Sequence, residues 1–344
     1  MTLDLSVIGA GFDRRHPRRV TTVDSHTAGE ATRLVVAGLP DLPGDTVAAK
    51  RDHFQREHDH LRLLLTREPR GHRDTVAAVV TPPCSPGADF GLFYMDARRY
   101  PHLCGHATMG AVTTLLELGA LEGGDGDIPV RVDSPSGPLE TVARMDGGKV
   151  LDVAVTMAPS FVLGQRLPLD MSSNWPGLGT IRVDTVCVGG FFALVDATAT
   201  GLALVPENRP KLTALGMDIL AAANERIAVA HPERPEVNSI DVVEFHSRDQ
   251  GVVIYGEAHM DRSPCGTGTA ARLTLLHRRG LIKPGEERRS LGPLDCAFHA
   301  SVAEEATVGG LPAVRVRVRG GAFVTGMHQF ALDPEDPFPE GFLL

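Results

Sequence analysis

The chain has 344 residues, of which 42% are hydrophobic and 22% charged, and its formal net charge is −9. Single hydrophobic cores usually divide below this length, so we expect two domains. The acidic balance, and the lack of basic clusters interleaved with aromatic residues, argue against a nucleic-acid partner. A small-molecule ligand is therefore expected.

The sequence predicts neither a membrane-spanning helix nor a secretory signal. The apolar stretches 150–157 and 181–195 are interrupted well short of a membrane span. The N-terminal segment has its acidic residue before its arginines, the reverse of a secretory signal. The five cysteines are odd in number and widely spaced, which is typical of free thiols in a reducing compartment. We therefore expect a cytoplasmic protein without membrane association.

The first motif along the chain, Gly9-Ala10-Gly11, resembles the start of a dinucleotide-binding fingerprint. The third glycine is missing, because position 14 is Arg14, and the basic run that follows does not open a helix. We reject a nucleotide site here.

The remaining elements alternate between strand and helix patterns. Strand patterns cover 32–37, 75–81, 90–95, 150–156 and 313–318, and helical patterns cover 50–65, 108–118, 209–226 and 269–279. This balance predicts an α+β protein with antiparallel or mixed sheets. Glycine- and proline-rich connections are expected at 123–129 and 158–176. The second of these predicts a boundary between one α/β domain at 1–157 and another at 158–324, with 325–344 returning to the first.

Two cysteines have similar local sequences. Cys265 follows a strand pattern and precedes a helical one, and Cys104 also precedes a helical pattern. A thiol at a helix N-terminus meets unpaired N–H groups and the positive end of the helix dipole, which favour its thiolate. Such a thiol can serve as a nucleophile, a base or part of an anion site, or it can simply pack at a turn. The other cysteines lack this setting and are predicted to be packing residues: Cys84, Cys187 and Cys296.

A weak internal repeat relates the two segments. Cys104 and Cys265 are 161 residues apart, and the same spacing aligns Gly105 with Gly266, Thr108 with Thr269, Thr113 with Thr274, Leu115 with Leu276, Gly119 with Gly280 and Tyr94 with Tyr255. Two copies of one unit, facing each other across a pseudo-two-fold axis, account for these matches. Each copy would then present one thiol to a shared cleft.

Such a cleft suits the inversion of a carbon centre. One group must remove a proton from one face while another delivers a proton to the opposite face, and a thiolate and a thiol supply that pair. The two helix N-termini would hold a substrate carboxylate and stabilise the developing negative charge. This chemistry needs no cofactor.

Several motifs in this order resemble the proline racemase family: DSHTAGE at 24–30, EPRGH at 68–72, CGH at 104–106, GGFFA at 189–193 and DRSPCGTGT at 261–269. The resemblance spans about 23–330. It implies a diaminopimelate-epimerase-like fold, with two pseudo-symmetric domains that each have a sheet around a central helix. It also implies cofactor-independent racemisation or epimerisation of a small imino acid, proline or hydroxyproline, often in a homodimer.

The resemblance also implies roles for individual residues. Cys104 and Cys265 match the two acid/base thiols, and Asp261 matches the residue that contacts the ring nitrogen. The positions that match contacts to the substrate carboxylate are Gly105, His106, Gly266 and Thr267.

The choice of substrate depends on two positions in the ring pocket. The 68–72 motif, which ends in a histidine, resembles the corresponding motif of proline racemases. Those enzymes, however, carry phenylalanine at the positions of Val76 and Tyr255, whereas hydroxyproline epimerases have a smaller aliphatic residue at the first. Val76 leaves room for a ring hydroxyl, and the hydroxyl of Tyr255 can hydrogen-bond one. A residue that touches the ring bears on specificity most directly, so 4-hydroxyproline is favoured and proline is the alternative.

Other interpretations are weaker. The family's trans-3-hydroxyproline dehydratases carry threonine at the second thiol position, where this chain has Cys265. A zinc site at His102, Cys104 and His106 would need alternate residues of one short loop to form a tetrahedron, so no metal is expected. A pyridoxal-phosphate site would need a Schiff-base lysine, and none of the four lysines, at positions 50, 149, 211 and 283, lies in a recognisable motif for that cofactor. A non-catalytic imino-acid-binding protein remains open, and His26, His72 and His102 are secondary site candidates.

Overall fold

The computed structural model describes residues 4–344. Five α-helices lie in this part of the chain: α1 (Ile8–Arg15), α2 (Val47–Thr66), α3 (Gly105–Glu117), α4 (Arg209–Arg226) and α5 (Gly266–Arg278). The four helices expected from the sequence are confirmed as α2 to α5. No helix within residues 4–344 is both long and apolar enough to cross a membrane.

Strands joined by hydrogen bonds make up the rest of the framework. Within the described residues they number seventeen: β1 (Arg19–Thr27), β2 (Glu30–Ala37), β3 (Ala77–Thr81), β4 (Phe90–Met95), β5 (Gly126–Ser134), β6 (Gly137–Asp146), β7 (Lys149–Thr156), β8 (Ser160–Asp170), β9 (Thr180–Val188), β10 (Gly190–Asp196), β11 (Ile240–His246), β12 (Gly251–Tyr255), β13 (His259–Met260), β14 (Arg288–Leu291), β15 (Ala297–Val308), β16 (Leu311–Gly320) and β17 (Ala322–Ala331). The mixed pairing of these strands confirms an α+β protein.

Strand pairing repeats in the two halves of the chain. In the first half, β1 pairs antiparallel with β2, β2 parallel with β3, and β3 antiparallel with β4. In the second half, the strands β9 to β12 show the same succession of antiparallel, parallel and antiparallel pairs. The parallel pair in each half is connected through a helix, α2 or α4, as parallel strands require. The two halves therefore share one topology.

The spacing of 161 residues holds for the central helices. Helix α3 and helix α5 both have 13 residues, and both their first and their last residues are separated by that spacing. Gly119 and Gly280 follow the two helices, each with φ near +70°, a value that favours glycine. The repeat inferred from scattered identities thus corresponds to a pair of equivalent helices.

Both central helices are buried almost all round. Twelve of the 13 residues of α3 are buried, which is consistent with a sequence of small and apolar side chains on every face. One hydrophobic core includes residues of α3 and α5, a second includes residues of α4, and a third includes residues of α2. The sheets therefore hold the N-termini of α3 and α5 in fixed positions.

Strands near the ends of the two halves complete the sheets. The C-terminal strand β17 pairs with β1, and β8 pairs with β9 in the same antiparallel manner. Phe342 also pairs with Glu68 of the first half. The domain limits 1–157, 158–324 and 325–344 stay a prediction, and residues 1–3 lie outside the described part of the chain.

Two predicted connections were wrong in extent. The segment 158–176 contains the strand β8, and the predicted connection at 123–129 is shorter because β5 begins at Gly126. Gly164 and Pro168 made the first segment resemble a loop. Both lie in β8, where two register shifts, at 162–164 and 164–167, allow such residues within a strand. The Gly9–Gly11 motif lies inside α1 and follows a short 3₁₀ turn, so the strand that a dinucleotide fingerprint requires is not found there.

Candidate active site

The N-termini of α3 and α5 meet face to face. Cys104 is the N-cap of α3 and Cys265 is the N-cap of α5. A Cβ atom added to Gly105 would lie 3.1 Å from Cα of Gly266, and one added to Gly266 would lie 3.2 Å from Cα of Gly105. Only glycine allows the two backbones to approach this closely. Two thiols that are distant in sequence are thus brought to one place.

A small cavity of about 60 Å³ opens at this junction. All nine residues that the sequence analysis assigned to the site line it: Val76, Cys104, Gly105, His106, Tyr255, Asp261, Cys265, Gly266 and Thr267. The lining carries both thiols, two helix N-termini, the carboxyl groups of Asp241 and Asp261, and the aromatic rings of Phe192 and Tyr255. Such a cavity fits a small carboxylate ligand with an apolar body.

Cys104 lies beside an imidazole ring. Its Sγ is 3.4 Å from Nδ1 of His106, and the thiol is half-buried. The backbone of Cys104 is extended, with φ of −143°. The hydroxyl of Thr27 donates to the carbonyl of His106 at 2.9 Å, which ties this helix mouth to β1. Burial lowers the pKa of His106, so its imidazole is favoured in the neutral form.

Cys265 is held more tightly. Its side chain accepts a hydrogen bond from the backbone N–H of Gly268 at 3.3 Å, and its Sγ lies 3.4 Å from Oγ1 of Thr267. The backbone of Cys265 has φ of +57°, a left-handed conformation that costs a non-glycine residue about 1–3 kcal/mol. Ser263 supports this conformation, because its Oγ donates to Asp261 at 2.7 Å and accepts from the N–H of Cys265 at 3.0 Å.

The ionisation of both thiols is unfavourable in this setting. Burial raises the pKa of Cys104 and of Cys265 above the usual value of a cysteine, and the negative charge of Asp261 adds to both shifts. Burial also raises the pKa of Asp261, with a further contribution from Glu30. Perturbed groups that gather in one cavity are characteristic of functional sites.

Some cavity residues escaped the sequence analysis. Arg99 and Asp241 line the cavity, form an ion pair of 3.4 Å with each other, and come from different halves of the chain. No local motif marks either residue. Gly190 and Phe192 also line it, and the GGFFA motif at 189–193 was the signal that could have assigned them.

Of the three secondary site candidates, only one histidine lines the cavity. His102 lines the cavity, where burial and the nearby Arg51 guanidinium lower its pKa to about 4. His26 and His72 are not among the lining residues. Cys187 is buried in the second core, as expected of a packing residue.

The other two cysteines differ from each other. Cys84 is half-buried and packs against the third core, as expected of a packing residue. Cys296 is exposed, so its packing interpretation was wrong. All five cysteines are free thiols in the structure. Within residues 4–344, no group of three or more His, Cys, Asp or Glu side chains is arranged to hold a metal ion.

Comparison with known proteins assigns the family. Residues 22–343 match the family model described as proline racemase. A proline racemase of Clostridioides difficile is 37% identical over 334 residues, which are 95% of this chain and 98% of that protein. A 4-hydroxyproline 2-epimerase of Streptosporangium roseum is 37% identical over 338 residues, 96% of this chain and 100% of that protein. The chain belongs to the proline racemase family, and it is an isomerase.

Solved structures agree with this assignment. A hydroxyproline epimerase of Agrobacterium vitis, solved with bound trans-4-hydroxy-L-proline, matches with a TM-score of 0.90 and 32% identity, over 95% of this chain and 96% of that one. A predicted epimerase of Pseudomonas aeruginosa matches with a TM-score of 0.58 and 16% identity, over 91% of this chain and 99% of that one, which shows the fold alone. The expected diaminopimelate-epimerase-like fold class is confirmed.

Proposed function

We propose that the chain inverts the α-carbon of 4-hydroxyproline without a cofactor, with Cys104 and Cys265 as the acid/base pair. The observation that carries this proposal is the meeting of two helix N-termini, each capped by a cysteine, at one small cavity. The two thiols belong to equivalent positions of a repeat, so they approach a bound ligand from different halves of the molecule. That arrangement supplies a proton acceptor for one face of the α-carbon and a donor for the other.

The helix N-termini provide the binding site for the substrate carboxylate. Backbone N–H groups at the first positions of α3 and α5, around Gly105 and Gly266, have no partners within their helices. A carboxylate placed there gains hydrogen bonds and the favourable ends of two helix dipoles. The same groups stabilise the negative charge that spreads into the carboxylate as the α-proton leaves. His106 and Thr267, the second residues of the two helices, complete this site.

Substrate binding makes thiol ionisation easier. Burial raises the pKa of both thiols, and the negative charge of Asp261 raises it further. The ring nitrogen of the imino acid is positively charged, and an ion pair with Asp261 offsets that effect. One thiol can then lose its proton while the substrate is in place. This order of events protects a reactive thiolate from the solvent.

Two lining residues favour a hydroxylated ring. Val76 and Tyr255 are both in the cavity wall, where Val76 is smaller than a phenylalanine and Tyr255 carries a hydroxyl group. The bound ligand of the Agrobacterium vitis epimerase, trans-4-hydroxy-L-proline, supports the same choice. Proline racemisation by the same mechanism is the alternative, and the Clostridioides difficile relative favours it. Dehydration of trans-3-hydroxyproline and binding without turnover are further alternatives.

The proposal is tested by proton NMR in D₂O. The purified protein is incubated separately with trans-4-hydroxy-L-proline, L-proline and trans-3-hydroxy-L-proline, with no cofactor added. We expect loss of the α-proton signal, fastest with the first compound. Faster exchange with L-proline would favour the racemase alternative, and loss of ring protons from the third would favour dehydration. If no compound reacts, the proposed function is wrong.

The expected homodimer and the expected cytoplasmic location stay predictions.

A further inference from the structure

Glu30, the last residue of the 24–30 motif, contacts the loop that leads to the second thiol. Its Oε1 lies 2.7 Å from Nε2 of His259, and its Oε2 accepts from the backbone N–H of Arg262 at 2.7 Å. The side chains of Glu30 and His259 are each only 1% exposed. Such a buried carboxylate is stabilised by the partners of its oxygens. Glu30 therefore fixes the orientation of the His259 imidazole.

His259 in turn contacts Tyr255, which lines the cavity. The two rings are stacked, with centroids 4.4 Å apart and an interplanar angle of 29°. The phenol oxygen is 3.5 Å from Nε2 of His259. The two residues are also cross-strand partners in the pairing of β12 with β13. The imidazole thus limits both the tilt of the Tyr255 ring and the position of its hydroxyl.

The ion pair between His259 and Glu30 also affects the hydrogen bonding of the Tyr255 hydroxyl. Burial lowers the pKa of His259, but the carboxylates of Glu30, Asp74 and Asp261, with Glu30 foremost, together raise it above its usual value. The distance of 2.7 Å between Nε2 and Oε1 of Glu30 likewise favours a protonated Nε2. A protonated Nε2 cannot accept a hydrogen bond from Tyr255. The phenol proton remains free to donate to an oxygen atom of a ligand.

We propose that His259, held by Glu30, positions the Tyr255 hydroxyl as a donor to a ring hydroxyl, and so selects a hydroxylated imino acid over an unsubstituted one. This inference rests on the proposed function and deepens it. His259 is not among the residues that line the cavity, so it is a positioning residue that acts through Tyr255. The role of Glu30 also explains why one motif from the first half bears on the ring pocket of the second.

The test is a double-mutant cycle with two substrates. The values of kcat/KM for trans-4-hydroxy-L-proline and for L-proline are measured by α-proton exchange in wild type, Tyr255→Phe, His259→Leu and the double variant. One lost hydrogen bond corresponds to a factor of about ten, so Tyr255→Phe should lower the hydroxyproline-to-proline ratio about tenfold. His259→Leu should lower it about fivefold, and the double variant should not fall below Tyr255→Phe, because the two residues act as one unit.

Two further variants separate positioning from a general structural role. His259→Gln keeps an N–H donor for Glu30 and should retain more of the ratio than His259→Leu. His277→Leu is the matched control, because His277 also pairs with a carboxylate, Glu305 at 3.2 Å, near the far end of α5. It should leave the ratio unchanged.

Either of two results would overturn the inference while the wild type is active. One is an equal loss of activity on both substrates in His259→Leu, and the other is an additive effect in the double variant. A wild type that exchanges neither substrate would instead overturn the proposed function itself.

Discussion

The helix N-termini at Cys104 and Cys265 occupy equivalent positions in two copies of one unit, but the surroundings of the two sulfur atoms differ. Cys104 has an extended backbone, is half-buried and has an imidazole 3.4 Å away. Cys265 has φ of +57°, is 7% exposed and accepts a hydrogen bond from Gly268. The repeat thus fixes where the thiols lie, and the local turn fixes the surroundings of each.

The turns before the two cysteines explain the difference. At the spacing of 161 residues, Asp261 of the second copy corresponds to Tyr100 of the first. Asp261 lines the cavity, whereas the hydroxyl of Tyr100 donates to Asp59 at 2.7 Å, in a different hydrogen-bond network. His106 of the first copy likewise corresponds to Thr267 of the second. An imino acid has its charged nitrogen on one side only, so an asymmetric pair of turns suits it better than a symmetric one.

The largest expected effect comes from removing either thiol. Cys104→Ser and Cys265→Ser should each lower epimerisation by about 10²–10⁴-fold, because a serine hydroxyl is a much weaker acid than a thiol and almost never ionises to act as a base at neutral pH. The rate is measured by chiral chromatography of the product. If both thiols act in one reaction, neither variant should retain substantial activity in either direction.

The exposed Cys296 provides the control for these variants. Cys296→Ser should leave the rate unchanged, since this thiol lies outside the cavity lining. An active Cys265→Ser variant would break the comparison, because one thiol would then suffice.

The contact between the two helix mouths is the next target. In Gly105→Ala the new methyl group would lie 2.8 Å from Cε of Met157 and 3.1 Å from Cα of Gly266. The helices must shift apart, and we expect kcat/KM to fall about 100-fold, since small misplacements of catalytic groups are costly. Gly124→Ala, where no atom lies within 4 Å of the new Cβ, is the matched control. Equal activity of the two variants would contradict the importance of the contact.

The charge of Asp261 should set the reactivity of the thiols. Burial raises the pKa of Cys104 and of Cys265 and this carboxylate adds to both shifts, so Asp261→Asn should lower both pKa values. A pKa lowered by about one unit makes the thiolate about tenfold more abundant below the pKa. Alkylation of each cysteine by iodoacetamide, followed by mass spectrometry across pH, should therefore show inflections at lower pH in the variant.

Alkylation also sharpens the comparison between the two mouths. The half-buried Cys104 should react before the 7% exposed Cys265 in the wild type. Faster modification of Cys265, or an unchanged inflection in Asp261→Asn, would contradict this account of the cavity electrostatics.

The smallest expected effect concerns the turn that supports Cys265. Ser263→Ala removes the acceptor for the N–H of Cys265 and the hydroxyl donor to Asp261. The buried groups left behind should lower the free energy of unfolding by about 1–3 kcal/mol. Urea denaturation measures the change, with the exposed Ser172→Ala as control. A variant as stable as the control would show that this turn is held by other contacts.

The sequence anticipated the site better than the connections between elements. All nine residues assigned to the site line one cavity, and seven of them lie within five residues of the start of α3 or α5; Val76 and Tyr255 lie on or beside strands instead. The segment 158–176 was wrongly expected to be a loop, because Gly164 and Pro168 are common in loops and the register shifts that admit them into β8 have no local signature. Local chemistry was therefore easier to infer than strand pairing.

The sequence by itself determined the two cysteine-capped helices, the glycines that allow them to meet and the family to which the chain belongs. These features depend on residues that are neighbours along the chain, so their pattern is visible without coordinates. Only the tertiary structure brought Arg99 to Asp241 and Glu30 to His259. Those pairs join residues more than 100 positions apart, and no periodicity or spacing records a contact that the packing of two halves creates.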